Sequence, residues 1–237
     1  MKQFLIFFLF LPLLVFSQFD FEKAQHFFEK GKWQQSQEIF EKIVKKEPSD
    51  LIVLERLGDI AGHLKDWDKA LLYYGKLKKI KPSEADFHFK YGGVLGMKAL
   101  QVNKFKAFGM IDDIKASFEK AIQLNSKHIP ARWALIELYL KLPGIVGGSE
   151  AKALRYSNEL MKISPVDGYL SRGHIEEYFK RYKNAEQQYK KAISIGNSRT
   201  SYQKLADLYQ NKMNQPDKAS VILQMLKNNN TIPKKNI

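Results

Sequence analysis

The 237-residue chain has no cysteine. That excludes a disulfide framework, thiolate metal ligation, a cysteine nucleophile and a lipidated cysteine anchor. After Phe16 it also lacks any apolar run approaching the ~20 residues that a membrane-spanning helix requires. Strand signals are missing: no stretch rich in Val, Ile and Thr alternates between hairpin turns. Neither HExxH nor GxSxG occurs, and the five histidines (26, 63, 88, 128 and 174) form no close ligand cluster. The run Gly92-Gly93-Val94-Leu95-Gly96-Met97-Lys98 lacks phosphate-loop spacing and has no preceding strand. It reads instead as helix packing, with Gly92 and Gly96 one turn apart and both admitting a neighbouring helix. The expectation is a chain that is not an enzyme and uses neither metal nor cofactor. Negative charge is scarce too, with 25 acidic against 39 basic side chains and a formal charge of +14.

What is present begins with a leader pattern. Lys2 precedes an apolar run from Phe4 to Phe16, and Ser17-Gln18 opens polar sequence. The run is too short to span a bilayer and carries a small residue at the cut, the layout of a secretory signal over 1–17. The competing readings are a core helix or a retained anchor. The expectation is export, to a periplasmic or secreted location, with a mature chain from Gln18 and no transmembrane segment after cleavage.

The strongest signal is a period. Pro48 and Pro82 lie 34 residues apart, each closing an apolar helical pattern. Between them stand Leu54, Leu57-Gly58, Asp66-Trp67, Ala70, Tyr73-Tyr74 and Leu77. Upstream, Ala24, Phe27, Gly31, Trp33, Ser36 and Phe40 occupy the same places. Downstream the pattern returns four times. It is carried by Tyr91-Gly92 with Phe118 and Ala121, and by Pro130, Leu135 and Tyr139 with Ala153 and Tyr156. Gly173 with Tyr182, Ala185 and Tyr189 follows, and then Leu205-Ala206, Tyr209 and Ala219. Small residues at these places let two helices touch while Leu, Trp and Tyr fill the space around them.

These residues make the chain similar to the tetratricopeptide repeat. The resemblance implies an all-α, right-handed superhelical solenoid of about six helix pairs over residues 18–227, followed by a polar tail, 228–237. An irregular helical bundle imitating the pattern is the alternative. Asp66, Ser83, Ser149 and Ser198 are candidate helix caps, and Pro130 fits a first helical position. Arg172 stands where leucine is usual. Two units carry extra chain at their inter-helix turn, Gln101–Met110 in the third and Leu142–Gly148 in the fourth.

In this family the first helix of each pair lines the concave surface. On that register the groove holds Glu55, Asp59, His63, Phe89, Trp133, Glu137, Leu140, His174, Glu177 and Asp207. The set is acidic and aromatic, while lysines such as Lys45-Lys46, Lys78-Lys79 and Lys190-Lys191 fall on second helices and turns. The implied function is binding of a protein or peptide partner, with Phe89, Trp133 and Leu140 as apolar anchors. In the other reading the basic convex face docks on anionic envelope polymers or lipid headgroups. Nucleic acid is not expected, because export removes it and aromatics do not interleave with the lysines. Phe105, Phe108, Ile145 and Val146 in the two insertions either narrow a rim of the groove or only stiffen the array. The apolar last helix, with Val221, Leu223 and Met225, points to a partner or a second copy at that end.

Overall fold

The computed structural model describes residues 19–231. Among these residues there are twelve α-helices and no strand. They are α1 (19–29), α2 (Trp33–Lys46), α3 (Leu51–His63), α4 (Trp67–Ile80), α5 (Ala85–Ala99) and α6 (Lys104–Leu124). Then follow α7 (Ile129–Lys141), α8 (Glu150–Ile163), α9 (Pro165–Tyr178), α10 (Tyr182–Gly196), α11 (Arg199–Asn211) and α12 (Pro216–Thr231). Short turns join them into six pairs, an all-α solenoid. Contacts divide the chain into two compact units, one ending at Leu124 and one beginning at Asn125. The leader expected over 1–17 lies outside the described residues, as do 232–237. Residues 228–231, expected in the tail, belong to α12.

In the first unit the small residues sit where the pattern requires them. Ala70 is fully buried against the core that contains Leu54, Leu57, Tyr74 and Leu77. A Cβ added at Gly58 would lie 2.8 Å from the Tyr74 ring, so glycine there sets how closely α3 and α4 approach. Ser36 takes the alanine place in α2 and remains buried because its hydroxyl donates to the Ala24 carbonyl, 2.8 Å away. Gly92 repeats the device between α5 and α6, where an added Cβ would meet Ser117 Cβ at 2.8 Å. Gly96 does not: nothing lies within 4 Å of its Cβ position.

The second unit is built alike. Gly173 faces Tyr189, whose fully buried ring would lie 2.4 Å from an added Cβ. Arg172 does not disturb this register, because its half-buried guanidinium turns aside to the Asn158 side chain of α8. Arg132 is buried between α7 and α8, donating to Glu159 at 3.0 Å and to the His128 carbonyl at 3.1 Å. Between α8 and α9 one residue, Ser164, ends the first helix and caps the second.

Caps follow the expected chemistry at Asp66, Ser149 and Ser198, each accepting from the amide three residues on. Asp50 caps α3 in the same manner, and His128 caps α7 through Nδ1. Ser83 is no cap. α5 begins at Ala85 after Glu84, whose side chain is drawn back to Lys81 at 2.7 Å. Pro130 occupies the second position of α7, since Ile129 opens that helix.

The third-unit insertion is not extra loop. Its turn is only Leu100–Asn103, and the added residues lengthen α6 to 21 residues, against 13 to 16 for α2–α5 and α7–α12. Asn103 caps the extension through Lys106 N at 3.0 Å. The fourth-unit insertion is a loop holding one 3-10 turn, Gly144–Val146. Gly147 closes it at φ +97°, a left-handed backbone suited to glycine.

Candidate functional site

Four of the expected groove residues lie in the first unit. Glu55 and Asp59, four apart on α3, share one helix face. The structure adds Lys90 from α5, whose ammonium reaches Glu55 at 2.7 Å and Asp59 at 2.8 Å. Asp59 also accepts from the Tyr74 hydroxyl and lies 3.7 Å from Arg56. Burial opposes charge on Lys90, but the hydrogen bonds it donates to Asp59 and Glu55 outweigh this and raise its pKa. Burial first, and Asp59 second, raise the pKa of Tyr74, keeping it a neutral donor. Two carboxylates and two cations therefore neutralise one another. The acidic lure expected on this face is absent, because the lysine one repeat later was not foreseen as its partner. His63 stacks on Trp33 with ring centroids 4.1 Å apart, and half-buried Phe89 leans on Phe118 at 5.9 Å.

The second unit holds the rest. α7 touches α9, and α9 touches α11, so the first helices of its three pairs form one continuous layer. On that layer the structure brings together Trp133, Glu137 and His174. The half-buried indole of Trp133 donates from Nε1 to Asp167 at 3.1 Å, 34 residues on, and lies 6.2 Å from the His174 ring. His174 pairs with Glu137, and Lys141 approaches the same carboxylate at 3.0 Å. The His174 hydrogen bond, assisted by Lys141 and opposed by burial, pulls the Glu137 pKa down to about 2. Glu137 stays ionised across the physiological range.

Glu177 accepts from the Tyr189 hydroxyl at 2.9 Å. Burial raises the Tyr189 pKa, and the charges of Glu177 and Asp207 add to that rise. Neither Glu177 nor Asp207 enters an ion pair among the described residues. Leu140 must be withdrawn from the set. It is only 4% exposed, because α7 turns this position into the core beside Ile136 and Tyr139. Sequence reasoning passed over Asp167, which orients Trp133, and the exposed Tyr178 next to Glu177. Asp167 lies one 34-residue period after Trp133, a signal present in the sequence.

The insertion residues differ in exposure. Phe105 is 88% exposed and Ile145 95%, Phe108 is exposed, and Val146 is half-buried.

A family model described as the tetratricopeptide repeat matches residues 166–196, the α9–α10 pair that carries His174, Glu177 and Tyr189. That helix pair is similar to a tetratricopeptide repeat. Solved tetratricopeptide structures share its fold at low identity. PilW, a type IV pilus biogenesis factor, aligns at 16% identity and a TM-score of 0.62, over 92% of this chain and 95% of that one. A thermophilic tetratricopeptide protein of Thermus thermophilus aligns at 14% and 0.60, over 88% and 99%. YrrB, a tetratricopeptide protein with an unusual peptide-binding site, aligns at 15% and 0.51, over 77% and 87%. None of the curated proteins compared with the sequence matches it. Repeats of this kind suggest a protein-interaction scaffold.

Proposed function

We propose that this protein is an exported, non-catalytic scaffold that binds a protein or peptide segment along the α7–α9–α11 layer. One observation carries the reading. Glu177 and Asp207 hold unneutralised negative charge on the layer that also carries half-buried Trp133. In the first unit the corresponding carboxylates are already paired to Lys90. The segment it fits carries an apolar or aromatic anchor for Trp133 and a lysine or arginine for Glu177 and Asp207. Peptide recognition by YrrB, on the same fold, supports the choice of ligand class. Export rests on the Lys2, Phe4–Phe16 and Ser17 layout, and N-terminal mass analysis finding Gln18 first tests it.

Panning a random peptide library on the chain at ~0.5 M salt tests the binding mode, since screening at that ionic strength removes loose charge attraction. Enriched peptides should pair a basic with an aromatic or aliphatic residue. Trp133→Ala and Glu177→Lys should each weaken their capture at least tenfold. Capture that survives both substitutions would overturn the assignment of this face.

A further inference from the structure

The tip of the α5–α6 hairpin combines three properties that the helix-pair architecture does not need. First, it overhangs. Within α6 the earliest buried residue is Ile114, so the ten residues Lys104–Asp113 add no fully buried side chain to the core. At 1.5 Å per residue that is about 15 Å of helix. Second, it is apolar outward. Phe105 and Leu100 are 88% and 77% exposed, and Met97 and Phe108 are exposed as well. Phe105 and Phe108 stand three apart on one face of α6, while Met97 lies in the last turn of α5 and Leu100 is its C-cap. Third, its charge has one sign. No aspartate or glutamate occurs between Asp86 and Asp112, a stretch that holds Lys90, Lys98, Lys104 and Lys106. Lys98 pairs with Asp68, but Lys104 and Lys106 enter no ion pair among the described residues. The Asn103 cap fixes the start of α6, so these side chains project from an ordered helix end.

We propose that this tip docks on an anionic lipid surface, with Phe105, Phe108, Leu100 and Met97 entering the interface and Lys104 and Lys106 meeting the headgroups. Apolar side chains seat about 5–10 Å deep at the headgroup–acyl boundary, a depth the overhang spans. A protruding apolar wedge accompanied by Lys104 and Lys106 fits a deformable anionic interface. The inference is independent of the α7–α9–α11 layer.

Co-sedimentation with phosphatidylcholine–phosphatidylglycerol (7:3) vesicles, against phosphatidylcholine alone, tests it. The processed chain from Gln18 is used in every sample, because the Phe4–Phe16 run would bind lipid by itself. Binding should require phosphatidylglycerol. It should fall about fivefold for each of Lys104→Gln and Lys106→Gln at low salt, and more than tenfold for the double variant Phe105→Ser, Phe108→Ser. Trp133→Ala should bind vesicles as the parent does. Three results would each overturn the proposal. One is equal partitioning into neutral vesicles. Another is indifference to all four tip substitutions. The third is light scattering in which the double serine variant turns a dimer into a monomer. A large drop in thermal midpoint for the double serine variant would instead mark these phenylalanines as stiffening residues, and would also refute docking.

Discussion

Gly92 and Gly93 are adjacent in the middle of α5, share its helical backbone, and face opposite surroundings. Converting either to alanine gains roughly 1 kcal/mol of helix propensity and loses unfolded-state freedom to the same extent. At Gly93 nothing lies within 4 Å of the new Cβ. Gly93→Ala should therefore stabilise the protein by about 1 kcal/mol. At Gly92 the methyl would sit 2.8 Å from Ser117 Cβ and 3.0 Å from Phe118 Cε1. Neither neighbour can yield cheaply. Ser117 Cβ is rooted in the α6 backbone, its hydroxyl is tied to the Asp113 carbonyl at 2.8 Å, and Phe118 is buried. Overpacking of this kind costs about 1–3 kcal/mol. Gly92→Ala should end between neutral and about 2 kcal/mol destabilised. The difference between the two variants isolates the packing cost, since the propensity contribution cancels. With a urea slope of about 2 kcal/mol per molar, the midpoints should separate by about 0.5–1.5 M, Gly93→Ala above and Gly92→Ala below the parent. Hydrogen exchange of the α5 and α6 amides reads the same quantity locally, which guards against the two units unfolding separately. Midpoints that move together, in either direction, would refute the claim that Gly92 sets the α5–α6 distance.

Ala70→Leu, at a fully buried contact between α3 and α4, should destabilise by about 1–3 kcal/mol by urea midpoint. Glu159→Ala strands the buried Arg132 guanidinium. Because Glu159 is itself partly exposed, the loss should be about 1–2 kcal/mol, below the 3–5 kcal/mol of a wholly buried pair, and Arg132→Met on that background should recover part of it. The Glu137 pKa is depressed when folded, so its contribution is present above the ordinary carboxylate value of 4.5 and is lost as pH falls through about 2. Glu137→Gln should flatten the acid limb of the thermal midpoint between those values, and an unchanged limb would exclude the His174 pairing as its cause.

Local, period-bearing features were legible. Gly58, Gly92, Gly173, Ala70 and the caps at Asp66, Ser149 and Ser198 announce themselves because helix pairing demands a small residue or a side-chain acceptor at a fixed offset. Features that depend on the exact rotation of one helix against the next were not. Leu140 was placed on the surface by a register that α7 does not keep, and Gly96 was given a neighbour it lacks. The spacing places Gln101–Met110 as extra chain at the inter-helix turn, because this stretch has no fully buried residue and apolar periodicity needs something to bury against before it signals helix. Lys90 neutralises Glu55 and Asp59 across 35 and 31 residues, a pairing that charge counting on one helix cannot detect.

Mechanically, a chain of stacked helices is a spring whose compliance lies in its joints. At most joints two or more residues with independent torsions separate successive helices, but between α8 and α9 only Ser164 intervenes, and its side chain and backbone are both committed to capping. Just beyond it, Gly168 admits the α8 backbone so closely that a Cβ would lie 2.5 Å from Met161 Cα. This joint has no slack. α8 and α9 must tilt together, so flexing within the second unit falls to its other joints: the segment 142–149 and the turns formed by residues 179–181, 197–198 and 212–215. The Trp133–Asp167 hydrogen bond and the Arg132–Glu159 pair tie α7 to the two helices of this stiff joint, so the three move as one body.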